Sequence, residues 1–118
     1  MTPGRRAFDV RPMNTPRFES AIPLSDLRAG RMTSCVLGGR EILICHTAAG
    51  LFAVDNVCTH ADARLSEGRL RGTRVICPLH GASFDVRDGR VLGAPAERAL
   101  AVHELRIVGG IIEVALEP

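Results

Sequence analysis

Beyond residue 30 the chain alternates short apolar runs with glycine-bearing turns, and no stretch holds a helical period for long. Residues 32–37, 41–46 and 51–55 predict three consecutive strands, joined through Gly38-Gly39 and through Ala48 to Gly50. Residues 74–76, 83–86 and 90–92 predict a second group, the last two turning about Asp88-Gly89. Residues 102–108 and 111–116 predict a closing hairpin through Gly109-Gly110. Turn signals at intervals of about 8–12 residues indicate an all-β protein, an antiparallel sandwich or barrel. Ser25 is placed to cap one short helical turn before Gly30.

At 118 residues the chain accommodates one domain with a core of its own. No apolar run is long enough to cross a membrane. All 15 basic residues are arginine, and the formal net charge is +2. The excess sits at the start, where Arg5, Arg6, Arg11 and Arg17 face Asp9 alone, so the domain itself is close to neutral. A nucleic-acid binder would interleave basic residues with aromatics, but the chain has no Trp, no Tyr and 4 Phe, which argues against that class. Arg5-Arg6-Ala7-Phe8 is similar to the opening of a twin-arginine export signal, yet Asp9-Val10-Arg11-Pro12 follows instead of an apolar stretch. Residues 1–17 therefore read as a flexible extension, residues 18–118 as the domain, and the location as cytoplasmic.

Chemistry is concentrated in one segment. Cys58-Thr59-His60 is followed, after 16 residues, by Cys77-Pro78-Leu79-His80. Each pair lies where turn residues gather, Asp62 to Gly68 after the first and Pro78 and Gly81 around the second. Two thiolates and two imidazoles would satisfy a tetrahedral zinc ion. Zinc modules, however, usually pair like with like, whereas each loop here supplies one of each kind. A mixed pair from each loop suits a centre of two metals, one iron taking both sulfurs and the other both nitrogens, as in a Rieske 2Fe-2S centre. Zinc stays open as the alternative. Cys35 and Cys45, on predicted strands, read as buried reduced thiols rather than as a disulfide. His46 and His103 read as structural strand histidines, and no remaining two-histidine, one-carboxylate set would make a catalytic iron site. No catalytic residue is expected.

Cys58-Thr59-His60-Ala61-Asp62-Ala63, Leu65-Ser66-Glu67-Gly68 and Cys77-Pro78-Leu79-His80-Gly81-Ala82-Ser83-Phe84-Asp85 resemble the two cluster loops of Rieske proteins, above all the small ferredoxins that serve bacterial ring-hydroxylating dioxygenases. The resemblance runs from about Ile22 to Val114. It implies a Rieske-like β framework with a small inserted cluster-binding β subdomain. It implies one 2Fe-2S cluster held by Cys58, His60, Cys77 and His80, with the outer histidine nitrogens near solvent, and it makes Gly89 to Pro95 part of a covering loop. The implied role is that of a monomeric one-electron carrier between an NAD(P)H-dependent flavoprotein reductase and a terminal oxygenase. It would be an electron-transfer component and not itself an enzyme. A nitrite-reductase small subunit of similar fold is the alternative assignment.

Rieske proteins of respiratory complexes resemble this chain but carry a loop disulfide and hydroxyl donors, where this sequence has Ala63 and Leu79, and Ala82 and Phe84. Fewer donors to the cluster favour the low end of the Rieske range, roughly −150 mV. Asp62, Arg64, Glu67, Arg87 and Arg90 flank the ligand loops and are candidates for a docking rim.

Overall fold

A computed structural model describes residues 17–116. Eleven strands run in chain order: β1 (Arg17–Pro23), β2 (Met32–Leu37), β3 (Arg40–Thr47), β4 (Gly50–Asp55), β5 (Arg69–Arg71), β6 (Arg74–Ile76), β7 (Ser83–Asp85), β8 (Val91–Gly93), β9 (Val102–His103), β10 (Leu105–Val108) and β11 (Ile111–Leu116). Single turns of 3-10 helix occupy Leu24–Asp26 and Leu65–Glu67. The strands form three antiparallel sheets in the orders β2-β3-β4-β9, β1-β11-β10 and β5-β6-β7-β8.

β3 organises the interior. Its apolar run is buried on both faces, which is why it reads as continuous rather than alternating. Ile42 and Ile44 point into a framework core with Leu27, Leu37, Ala53, Ile112 and Val114. Leu43 and Cys45 point the other way, into a second core that contains Cys58, Leu65, Val75, Cys77 and Phe84. The framework and the small sheet β5–β8 are thus packed through opposite faces of one strand. Cys35 pairs in register with Ile42 and packs against the framework core, while Cys45 lies on the opposite face. The two are free thiols, though only Cys45 is buried as expected and Cys35 is half-buried; burial pushes Cys45 up to about 12.

Two strands escape the sequence pattern. β1 mixes polar and apolar residues and is defined by its ladder to β11, from Arg17 opposite Leu116 to Pro23 opposite Ile111. β5 has one apolar residue, Leu70, between two arginines. The single strand expected at 102–108 is broken at Glu104. Val102 and His103 pair with Val54 and Ala53 of β4, whereas Leu105 to Val108 pair with β11, and one straight strand cannot serve two sheets. Ser25 does not cap the first helical turn: it lies inside it, with Pro23 at the cap position and no side-chain cap bond. Residues 1–16, most of the expected extension, lie outside the described residues.

Candidate metal centre

The ligand loops have the same construction. Residues 58–63 are closed by the Cys58 amide donating to the Ala63 carbonyl at 2.9 Å, and residues 77–82 by the Cys77 amide donating to the Ala82 carbonyl at 2.7 Å. Antiparallel pairs flank both loops, Val57 opposite Arg64 and Ile76 opposite Ser83. The cysteine begins each loop and the closing alanine is buried in the same core. The second loop joins β6 to β7 within the small sheet, as expected. The first does not: it leaves framework strand β4 and enters β5, so the two loops are supplied by different parts of the fold.

Within this frame one ligand atom each from Cys58, His60 and Cys77 lies within 4.8 Å of the others. Cys58 Sγ is 2.8 Å from His60 Nδ1, and the His60 and His80 rings are 5.9 Å apart between centroids. His80 has φ 63°, the only non-glycine residue among those described with a left-handed backbone. Histidine visits that region at a cost, so an outlier in the ligand loop points to a geometry held for function. Both sulfurs are buried, and burial pushes the Cys77 thiol up, with Cys58 beside it adding to the effect. Two adjacent buried thiols with His60 beside them fit a centre that binds thiolates and neutral imidazole, since metal binding displaces their protons, whereas His80 stands outside that group of three, its ring tilted 60° to that of His60.

The outer nitrogens are not equivalent. His80 is exposed at the tip beside Leu79, whose surface is 45% accessible. His60 is half-buried, and its Nε2 is fully covered with no hydrogen-bond partner. This corrects the expectation that both outer nitrogens meet solvent. Pro95, Glu97 and Arg98 line a recess with Thr59 and His60, and the Thr59 hydroxyl donates to the Arg98 carbonyl at 2.7 Å. Pro95 therefore does lie beside His60, across a recess that its own segment helps to line.

The charged residues near the loops have assigned partners. Arg64 donates from Nε and a terminal nitrogen to Glu41 of β3 at 3.0 and 2.8 Å. This bidentate hydrogen bonding holds Glu41 below the usual carboxylate range and ties the first ligand loop to the framework. Buried Asn56 supports the same loop, accepting from the Ser66 amide at 2.9 Å through its side chain and from the Leu65 amide at 2.8 Å through its carbonyl. Arg64 thus acts as a clamp, leaving Asp62 and Glu67 as exposed rim residues. Glu41 and Asn56 escaped the sequence analysis because nothing local marks them. His46 donates to the Leu27 carbonyl at 2.9 Å and His103 to Asp55 at 2.8 Å, structural roles both, as expected.

Asp85 anchors the far end of the second loop's hairpin. It is 2% exposed and accepts from the Arg87 side chain and amide, with Arg90 at 3.3 Å. Hydrogen bonds from Arg87 hold its carboxyl down at about 2. A depressed carboxylate stabilises the fold above its ordinary value near 3.8, and the benefit is lost as pH falls through 2. Because both guanidinium groups are half-exposed, the contribution is about 1–2 kcal/mol. In urea unfolding, the deficit of Asp85→Asn should be full near neutral pH and shrink steadily as pH falls from about 5 toward 2. A deficit independent of pH would mean that shape, not charge, sets the role of Asp85.

Comparison with known proteins places this geometry. Residues 19–104 match the family model described as the Rieske [2Fe-2S] domain. The chain belongs to that family, and the cofactor of its Cys/His site is a 2Fe-2S cluster. Among curated relatives, the ferredoxin component of the naphthalene 1,2-dioxygenase system of Pseudomonas putida is 34% identical over 93 residues, 79% of this chain and 89% of the relative. Among solved structures, a chain in the complex of reduced oxygenase and oxidized ferredoxin of carbazole 1,9a-dioxygenase superposes with a TM-score of 0.78 at 29% identity, covering 83% of this chain and 92% of that one. A putative NADH-dependent nitrite reductase small subunit from Mycobacterium tuberculosis has a TM-score of 0.79 at 24% identity over 89% of this chain and 99% of that one, which speaks to fold alone.

Proposed function

We propose that this protein is a one-electron carrier in which Cys58 and Cys77 hold one iron of the cluster and His60 and His80 the other. Its domain comprises residues 18–118. It acts in the cytoplasm as a monomer, taking electrons from a flavin-containing, NAD(P)H-dependent reductase and delivering them to a terminal ring-hydroxylating oxygenase. The observation that carries this reading is the pair of six-residue loops closed in the same way, which bring Cys58, His60 and Cys77 together and set the His80 ring 5.9 Å from that of His60. The cluster supplies reversible one-electron chemistry. The chain's own residues bury the sulfur side in an apolar core, half-bury His60 beside the recess lined by Pro95, Glu97 and Arg98, and leave His80 and Leu79 exposed, so that the path for an electron to a partner leaves through His80. No described helix is long and apolar enough to cross a membrane.

The dithionite-reduced protein should give a paramagnetic resonance spectrum with an average g value below that of an all-thiolate cluster, because nitrogen ligation of one iron makes the pair unequal. Redox titration should place the midpoint near the low end of the Rieske range, roughly −150 mV. Ala82 and Phe84 are buried without hydroxyls, and the Thr59 hydroxyl is engaged by Arg98, which leaves few donors to stabilise the added charge. A midpoint above about 0 mV would refute that argument. A colourless protein with one zinc per chain would replace the whole reading with a structural zinc site.

A further inference from the structure

A groove of about 510 Å³ lies between the framework and the small sheet, lined by Gly30, Arg31 and Met32 on one side and by Ser66, Gly68 and Arg69 to Arg71 on the other. Through Gly68 and Arg69 it meets a second recess, of about 370 Å³, that reaches Cys77, Pro78 and Gly81 of the second ligand loop. Gly68 lets the backbones meet closely at the junction: a Cβ there would land on the Ile76 carbonyl oxygen and crowd Pro78. The result is one continuous surface leading from the framework edge to the ligand loops.

Its charge is uncompensated. Among the described residues Arg31, Arg69 and Arg71 are exposed and have no carboxylate within ion-pair distance, as is also true of Arg28, Arg74 and Arg98, whereas Arg17, Arg40, Arg64, Arg87, Arg90 and Arg106 each have one. Arg71 stands directly opposite Arg74 in the β5–β6 ladder, a like-charge cross-strand pair that weakens the sheet. Asp85, next to Arg74 in register on β7, is already engaged by Arg87 and Arg90. The nearest acid along the path is Glu67, at the rim of the second recess. Guanidinium groups gathered without acids recognise carboxylate or phosphate through paired hydrogen bonds. No aromatic side chain lines either recess, so the base-stacking surface of a single-stranded nucleic-acid site is missing.

We propose that this arginine groove is a docking surface for a carboxylate-rich segment of a redox partner, which it would guide along the flank of the cluster loops. The proposal rests on the electron-carrier reading for the partner's identity, but the groove and its charge do not depend on the cluster. Carboxylates seated at Arg31, Arg69 and Arg71 would relieve the like-charge pairing and set the partner's approach, with small area and strong salt dependence.

The test uses the cluster-containing protein and a fluorescein-labelled decaglutamate peptide, read by fluorescence anisotropy. Arg69→Glu/Arg71→Glu should weaken binding at least tenfold at low salt. A charge-matched control, Arg17→Glu/Arg106→Glu, should weaken it less than threefold, and raising salt should abolish the difference. The paramagnetic resonance spectrum of each variant reports separately on the cluster. Normal spectra together with equal peptide affinity in parent and groove variant would overturn the docking surface while leaving the carrier intact. If the parent lacks the Rieske spectrum but loses peptide binding on charge reversal, the surface stands and the carrier reading falls. A single-stranded oligonucleotide that binds the parent more tightly than decaglutamate, with the same loss in the groove variant, would overturn the assignment to a protein partner.

Discussion

Cys77→Ser should yield a folded or partly folded protein with iron and acid-labile sulfide near zero per chain, against about two of each in the parent. The expectation follows from where the sulfur sits. Cys77 is 2% exposed and Cys58 4%, in a core whose other members are apolar, so no water or neighbouring acid stands ready to replace a lost thiolate. A serine hydroxyl keeps the shape but is protonated at neutral pH and is a poor ligand for iron. Cys45→Ser is the matched control: Cys45 belongs to the same core, yet it lies on β3 and is no member of the loop group, so cluster content should stay at the parent level. Full iron and sulfide in Cys77→Ser would exclude Cys77 as a ligand, and loss in both variants would mean that the core, not the ligand set, was being tested.

Phe84→Ala should cost about 3–5 kcal/mol in stability and shorten the lifetime of the cluster in air. Phe84 is fully buried on β7, opposite Val75 in register, in the core that also holds Cys58, Cys77, Leu65 and Ala82. Its removal leaves a void bordered by both ligand loops, and the small sheet has few other large side chains to collapse into it. Set against the roughly 5–15 kcal/mol that holds a typical domain together, this is a large share. Phe84→Leu keeps most of the volume and should recover most of the loss. Denaturant unfolding followed in parallel with bleaching of the visible absorption checks both statements. Bleaching at the parent rate in Phe84→Ala would show that the aromatic ring stabilises the fold without sealing the site.

Much of the site was legible in the chain because it is local. Cys58, His60, Cys77 and His80 belong to two short loops whose turn residues and mixed ligand types announce their chemistry, and β2, β3 and β4 follow from apolar runs between glycine turns. Strands without such a run were silent: β1 and β5 exist through their partners, and β9 separates from β10 only because β4 and β11 compete for that segment.

What the order of residues determined, then, was the candidate ligand set, the β class and the lack of hydroxyls at Ala82 and Phe84, all properties of neighbours along the chain. Packing alone decided that Glu41, 23 residues from Arg64, would clamp the first loop, that His60 would share a recess with Pro95, Glu97 and Arg98 while His80 stays exposed, and that Arg31, Arg69 and Arg71 would line one groove. Those outcomes depend on which surfaces meet when two sheets close on opposite faces of β3. A hydrogen bond, a covered nitrogen or a shared groove between distant segments leaves no period or spacing in the sequence from which it could be read.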